Sequence, residues 1–187
     1  MENLNFKISE AVNEPIKDYL DGSSEKESLL NKLEEMKSYQ YEIPIIINGQ
    51  EVKTNDLGYC VMPHNHQHIL ASYHKAGPDE VEMAINSLLD AWKEWSHTPL
   101  EKRIEIFKKM ASLLQNEYRD TINAATMLGQ SKNVYQAEID AACELIDFFN
   151  FNALYAKNIH SKQELISPNG MKNSLEYRPL EGFIFAI

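Results

Sequence analysis

The sequence predicts an α/β chain in which helices predominate, and three observations support this. Apolar residues recur at helical spacing through most of residues 78–156. Between residues 41 and 73, β-branched and aromatic runs alternate with turn residues, which is typical of a small antiparallel β element. A continuous apolar run occupies residues 182–187, and such runs are typical of strands covered on both faces of a parallel sheet.

The first part of the sequence predicts an acidic helical arm. Pro15 suits the first turn of a short helix that Gly22 can end. Ser24 and Glu27 have the spacing of a capping box, and a leucine-rich stripe at helical spacing follows them. We therefore interpret residues 1–40 as an N-terminal arm that lies on a larger body.

A β-rich section begins near residue 41. Asn48 and Gly49 lie between residues 43–47, which are β-branched apart from Pro44, and residues 51–53, so a hairpin is expected there. Two further extended stretches are predicted at residues 59–62 and 69–73, with a turn at residues 63–65.

Four helices are predicted in the central region. Gly77 and Pro78 start the first, and Thr98 is the expected N-cap of the second. Gly129 is the expected terminator of the third helix. The predicted ranges of the third and fourth helices are 118–128 and 134–156.

Composition and charge limit the possible functions. Of the 187 residues, 43% are apolar and 25% are charged, which is ordinary for a soluble globular protein. No apolar run approaches the roughly 20 residues that a membrane span needs. The net charge of −10 disfavours binding to nucleic acid. Because residues 1–19 are acidic and lack an apolar core, neither a secretory signal nor a transit peptide is expected, which predicts the cytoplasm.

A cluster of histidines is the strongest local hint of a metal site. His64, His66 and His68 alternate, with Cys60 and His74 nearby, and imidazoles are good metal ligands. However, no carboxylate or second cysteine has a ligand-like spacing. We interpret the segment as a polar turn between strands and expect no metal, although a metal-binding module remains a third alternative.

The sequence offers no self-sufficient active site. Cys60 and Cys143 both have the surroundings of small buried residues rather than of nucleophiles. The seven glycines are scattered singly, so no glycine-rich cradle for a dinucleotide is present.

Glu138 is an unusual acid on an otherwise small or apolar helix face that it shares with Ala141 and Leu145. Two interpretations stay open. It is either a buried functional carboxylate or a half-exposed residue that pairs with Lys132 or with a neighbouring chain.

Several sequence segments closely resemble delta-1-pyrroline-5-carboxylate dehydrogenases of the aldehyde dehydrogenase superfamily. The segment Gln136-Ala137-Glu138-Ile139-Asp140 and its continuation carry much of this likeness. The segments that carry the resemblance are residues 13–15, 63–68, 127–132, 136–149 and 177–183.

The resemblance implies the N-terminal helical part of an aldehyde dehydrogenase fold. Residues 41–187 would then be an incomplete N-terminal, cofactor-binding domain. It would include flap strands near 165–178 that join subunits, and the first strand of the cofactor domain. A dimer or a larger homo-oligomer is therefore expected of the full protein.

The resemblance also implies NAD-dependent oxidation of L-glutamate γ-semialdehyde to glutamate in proline catabolism. The family's catalytic cysteine and glutamate lie beyond the end of this sequence, so the chain alone is expected to be inactive and poorly stable. The residues carried over are Glu138 and Ala141 for the substrate and Ile187 for the cofactor. The alternative function is a non-enzymatic helical module for regulation or dimerisation.

Overall fold

The computed structural model describes residues 6, 8–162 and 165–187. The α-helices are α1 (Ser24–Ser38), α2 (Pro78–Trp95), α3 (Leu100–Asn116), α4 (Arg119–Gln130), α5 (Val134–Ala137) and α6 (Glu144–Ser161). A segment of π-helix, Glu138–Cys143, joins α5 to α6, and we call it the π turn. The strands are β1 (Tyr41–Ile43), β2 (Ile45–Ile47), β3 (Gln50–Val52), β4 (Leu57–Met62) and β5 (Asn65–His74). The predicted α/β class is confirmed.

The predicted hairpin is confirmed, but its first strand is shorter than expected. β2 and β3 pair in antiparallel fashion, and Asn48 and Gly49 between them have φ angles of 51° and 71°. Positive φ at both positions is what a tight two-residue hairpin turn requires. Pro44 divides the predicted run because it has no N–H for a strand ladder.

The remaining strands form a three-stranded sheet with β5 in the centre. β4 pairs with β5 antiparallel, as expected from the turn between them, whereas β1 pairs with β5 parallel. The β element is therefore mixed rather than purely antiparallel. A register shift between Cys60 and Val61 interrupts the alternation of β4, and Cys60 is exposed, contrary to the expectation that it is buried.

Residues 8–20 form no helix, so the helix predicted to begin at Pro15 is wrong. Backbone N–H groups of this segment donate to side chains of the body instead of to a helical ladder: Glu14 to Asp147 and Lys17 to Glu138. The cap of α1 is Ser23 rather than Ser24, because the Ser23 hydroxyl accepts from the Lys26 N–H.

Two further helix boundaries differ from the prediction. The Thr98 hydroxyl donates to the Glu94 carbonyl of α2 at 3.2 Å, so it closes the preceding helix instead of capping α3. Helix α4 continues through Gly129, and Ser131 ends it with a φ of 54°. The predicted terminator is therefore wrong, although the left-handed residue that a helix end needs lies only two positions further on.

The described residues 165–187 contain neither helix nor strand. The strand predicted for 182–187 and the flap strands near 165–178 are therefore not formed. A strand needs a neighbouring strand to complete its hydrogen bonds, and no strand of the described residues pairs with this segment. Its apolar side chains are exposed, as Ile184 and Phe185 show with 75% and 79% of their surface accessible.

Three small apolar clusters hold the body together. The first joins α1, α4 and the end of β4, the second joins α3 to α6 near Ala153, and the third joins α3 to α6 near Ile146. Helix α2 contributes no buried residue, and Val81, Leu88 and Leu89 of its apolar face are exposed. No helix among the described residues has the length and apolar character to cross a membrane.

Candidate functional site

Glu138 begins the π turn and is completely buried. Asn133 caps the helix that leads to it, with its side chain accepting from the Gln136 N–H at 2.9 Å. Segments of π-helix are rare, and many occur at functional sites. A buried carboxylate at such a segment is the most unusual chemical feature of the described residues.

Donors surround both oxygens of the Glu138 carboxylate. Oε1 accepts from the Lys17 backbone N–H at 2.9 Å and from the Arg119 guanidinium. Oε2 accepts from the Tyr19 hydroxyl and from Asn123 Nδ2, each at 2.8 Å. We call Tyr19, Arg119, Asn123 and Glu138 the Glu138 cluster. A carboxylate with this many donors can remain ionised without water.

Arg119 connects the cluster to the N-terminal segment. It is the first residue of α4 and only 3% exposed. Its guanidinium pairs with Glu138, pairs with Glu14 through Nη1, and donates to the Pro15 carbonyl at 2.8 Å. A planar guanidinium with five donors suits this bridging position better than an ammonium group would.

The surroundings keep Glu138 ionised. Burial by itself would raise its pKa, but hydrogen bonds from Arg119, the Lys17 N–H, Tyr19 and Asn123 outweigh burial and lower the pKa to about 2. Burial and the neighbouring Glu138 carboxylate raise the pKa of Tyr19 above its usual value. A general base needs a pKa near the working pH, so Glu138 in this state is a structural anion rather than a base.

Cys143 lies at the other end of the π turn. It is 5% exposed, and burial followed by repulsion from Glu138 raises the pKa of its thiol to about 11. A nucleophilic cysteine needs a lowered pKa and some exposure. The expectation that Cys143 is a small buried residue is confirmed.

The structure brings only some of the expected site residues together. Glu138 has no exposed surface to present to a substrate, and Lys132 pairs with Asp140 at 2.7 Å rather than with Glu138. Ala141 is half-buried on the π turn. Ile187 is fully exposed in the segment without regular structure.

Sequence reasoning missed Arg119, Asn123 and Tyr19. Arg119 and Asn123 are four residues apart and therefore neighbours on one face of α4, which is a signal that could have placed them together. No local pattern indicates Tyr19, since it reaches Glu138 from 119 residues away in the sequence.

The histidine segment has a structural role in the described residues. His64 Nδ1 lies 2.7 Å from the Ser131 hydroxyl, which ties the β4–β5 turn to the end of α4. The described residues contain no group of three or more histidine, cysteine or acidic side chains that could hold a metal ion.

The described residues contain no glycine-rich cradle for the phosphates of a dinucleotide. Glycines that face open space, such as Gly22, Gly129 and Gly170, lie far apart in the sequence. A phosphate cradle needs closely spaced glycines before a helix, and no helix of the described residues is preceded by such a loop.

A family model described as the aldehyde dehydrogenase family matches residues 52–187. The chain belongs to this family. It is 45% identical over 183 residues to the delta-1-pyrroline-5-carboxylate dehydrogenase of Agaricus bisporus, covering 97% of this chain and 34% of the relative. It is 43% identical to the mitochondrial delta-1-pyrroline-5-carboxylate dehydrogenase of Homo sapiens, covering 94% of this chain and 31% of the relative.

Solved structures show the same likeness. The Mycobacterium tuberculosis delta-pyrroline-5-carboxylate dehydrogenase, in a crystal structure with NAD and cobalamin, superposes with a TM-score of 0.92 at 37% identity. The superposition covers 95% of this chain and 34% of that one. The chain thus spans about a third of the length of the relatives that it matches.

Proposed function

We propose that this chain is the N-terminal part of a dehydrogenase that uses NAD to oxidise L-glutamate γ-semialdehyde, which is in equilibrium with pyrroline-5-carboxylate, to L-glutamate. The observation that carries the proposal is the match to relatives named for this activity over 97% of the chain. A related structure described as NAD-bound supports the choice of cofactor for the whole protein. This reaction belongs to proline catabolism.

The proposed contribution of this chain is structural rather than chemical. Cys143 is a poor candidate for the nucleophile because it is buried, and Cys60, although exposed on β4, has no hydrogen-bonded base among the described residues. The described residues also lack a dinucleotide cradle. The catalytic groups are therefore proposed to come from the part of the relatives that this chain does not span.

For the substrate side, we propose that Ala141 faces the substrate entrance and that Glu138 acts from beneath it. The complete burial of Glu138 favours a positioning role, since its ion pair with Arg119 fixes the first residue of the π turn. In an active assembly, Ala141→Phe should raise the KM for the semialdehyde and leave the KM for NAD unchanged.

Ile187 is proposed to contact the cofactor once the rest of the protein covers it. Its complete exposure supports the view that another part of the molecule lies against it. Ile187→Ala should then raise the KM for NAD without changing the KM for the semialdehyde.

A chimera tests the proposed function. Residues 8–187 would replace the matching third of the Agaricus bisporus relative, and NADH formation from glutamate semialdehyde would be measured beside acetaldehyde and succinate semialdehyde. We expect activity with a preference for glutamate semialdehyde. A folded chimera that shows no activity, or that prefers another aldehyde, would contradict the proposal.

Location and assembly are also proposals. The cytoplasm is a proposal that cell fractionation tests, because the human and bovine relatives carry the word mitochondrial in their names. Homo-oligomer formation through residues 165–178 is tested by the molar mass of the chimera in solution.

The second candidate is a non-enzymatic module for regulation or dimerisation. The observation that favours it is α2, an 18-residue helix without a buried residue, whose exposed side chains include Leu88, Leu89 and Trp95. A stable homodimer of the 187-residue chain would favour this module. Co-purification with a chain that carries a catalytic cysteine would favour the dehydrogenase.

A further inference from the structure

Residues 10–20, which we call the strap, cross the body without forming a helix or a strand. Among the apolar side chains of the strap, only Tyr19 is buried. Val12 and Leu20 leave 74% and 65% of their surfaces exposed. The apolar burial of the strap therefore comes mainly from Tyr19, which packs into the first apolar cluster with Leu29, Leu33 and Leu128.

Gln115 Nε2 of α3 donates to Glu14 Oε2 at 2.8 Å, and further polar contacts hold the strap at three points. Asp147 accepts from Asn13 Nδ2 at 2.8 Å and from the Glu14 N–H at 2.7 Å. Arg119 pairs with Glu14 and donates to the Pro15 carbonyl. The third point is Glu138, which accepts from the Lys17 N–H and the Tyr19 hydroxyl.

These three points depend on one another. Arg119 pairs with Glu14 of the strap and with Glu138 of the body through the same guanidinium. Loss of the Glu14 contact would leave this buried cation with one carboxylate partner fewer, which would weaken the neighbouring contacts. Hydrogen bonds linked in this way strengthen one another, so the loss of one weakens the others.

The strap covers a thiol as well as an acid. Cys143 Sγ lies 3.9 Å from the Pro15 carbonyl oxygen and 3.7 Å from Glu138 Oε1. Beside residues 10–15 lies an open groove of about 330 Å³ that Ser112 and Gln115 of α3 also line. The strap therefore has open space along one side, and a buried carboxylate and a buried thiol lie beneath it.

We propose that the strap is a latch, which opens as one unit without unfolding of the body and thereby exposes Glu138 and Cys143. Segments with few apolar anchors and little regular structure are the ones that open locally in native proteins. The latch is independent of the proposed dehydrogenase function.

Thiol labelling of the 187-residue chain tests the latch. In a Cys60→Ser background, Cys143 is the single thiol, since the sequence has two cysteines, and its reaction with N-ethylmaleimide reports strap opening. The double variant Asn13→Ala, Glu14→Gln removes strap anchors without touching the body. We expect the labelling rate of Cys143 to rise about tenfold or more, because charged hydrogen bonds are lost only from the closed state.

Two controls make the test specific. Ala71→Cys in a background lacking both natural cysteines places a thiol at a 5% exposed position in the middle of the sheet, where only unfolding of the body can expose it. Its labelling rate should not change with the strap substitutions. Lys132→Ala removes an ion pair on the π turn that involves no strap residue, and it should leave the rate of Cys143 unchanged.

The outcomes separate a latch from a merely fixed segment. A parallel rise at Cys143 and at the Ala71→Cys thiol would mean global unfolding and would overturn the proposal. An unchanged rate at Cys143 would also overturn it. If the double variant does not fold, Tyr19→Phe is used in its place, because it removes only the hydroxyl that donates to Glu138. The labelling rate of Cys143 must then rise while that of the Ala71→Cys thiol stays unchanged.

Discussion

At the residue scale, burial of the Glu138 carboxylate is unfavourable by itself, but the carboxylate stabilises the fold once its hydrogen-bond donors surround it. Breaking a buried ion pair by removing one partner costs about 3–5 kcal/mol, because the other charge stays buried without its counterion. The Arg119 guanidinium would keep Glu14 as a second partner. This second contact reduces the expected loss and makes the cluster more tolerant than an isolated pair.

Glu138→Gln should lower the free energy of unfolding by about 2–3 kcal/mol, since it keeps the shape of the side chain but removes the charge that Arg119 faces. Urea denaturation at neutral pH measures this change. The matched control is Asp140→Asn on the same turn, whose half-exposed pair with Lys132 should contribute less than about 1 kcal/mol. Equal effects of the two substitutions would show that the cluster does not stabilise the fold.

The pKa of Glu138 predicts how stability depends on pH. The folded-state pKa, about 2, is lower than the ordinary value of 4.5. Folding therefore favours the ionised form of Glu138. The stability that this carboxylate contributes to the folded state is complete above pH 4.5 and is lost as the pH falls from 4.5 towards 2. A shift of this size corresponds to about 3 kcal/mol.

Denaturation curves between pH 2.5 and pH 6 check this dependence. Below pH 4.5, the wild-type chain should lose stability more steeply than Glu138→Gln, because the variant has no carboxylate to protonate at this position. Identical slopes for the two proteins would place the acid sensitivity elsewhere.

Sequence alone could identify Glu138 as unusual but could not supply its partners. Its position among small and apolar residues on a helix face marked it as different from the other acids. Tyr19, Lys17 and Arg119 come from parts of the chain that are distant in sequence, and their convergence depends on tertiary packing. For the same reason, the interpretation that paired Lys132 with Glu138 was wrong.

At the element scale, the helices and the hairpin follow from local signals, whereas several of their ends do not. Apolar spacing predicted the main body of α1–α4 and the long helix from Val134, and Asn48-Gly49 predicted the hairpin. The π turn was not predicted, because no local pattern in this sequence indicates it. Glu138, its first residue, is buried. Residues 15–20 were predicted as helix because the tertiary contacts of their N–H groups are invisible in the sequence.

Gly129→Ala should stabilise the chain by about 0.5–1 kcal/mol, because Gly129 lies inside α4 and an added Cβ meets no atom within 4 Å. Thermal or urea denaturation measures the gain. The matched control is Gly49→Ala, which should destabilise by about 1 kcal/mol, since the φ of Gly49 is 71° and the hairpin turn requires it. A loss of stability in Gly129→Ala would mean that the glycine has a role that the helix geometry does not reveal.

At the scale of the whole molecule, the chain exposes apolar surface on α2 and along residues 182–187. Trp95 on α2, and Phe183 and Phe185 in the terminal segment, leave 43–79% of their surfaces accessible. Large exposed apolar patches mark surfaces that bind other protein or that aggregate. The sequence predicted the apolar run but could not predict its conformation, because a strand depends on a neighbour that the described residues do not supply.

Concentration-dependent association of the 187-residue chain is therefore expected, and sedimentation measures it. Phe183→Ser with Phe185→Ser should reduce the association, because it removes exposed aromatic surface. The control is Ile106→Ser, which removes one exposed apolar side chain of α3 and should have little effect. A monomer at all concentrations would contradict this expectation.

The central proposal is that this chain supplies structure to a glutamate semialdehyde dehydrogenase whose catalytic groups correspond to the part of its relatives that the chain does not span. The most direct test measures NADH formation from glutamate semialdehyde by the 187-residue chain, by the remaining two thirds of the Agaricus bisporus relative, and by the two expressed together. We expect turnover only when both parts are present. Turnover by the 187-residue chain alone would contradict the claim, and so would a stable complex of the two parts that forms no NADH.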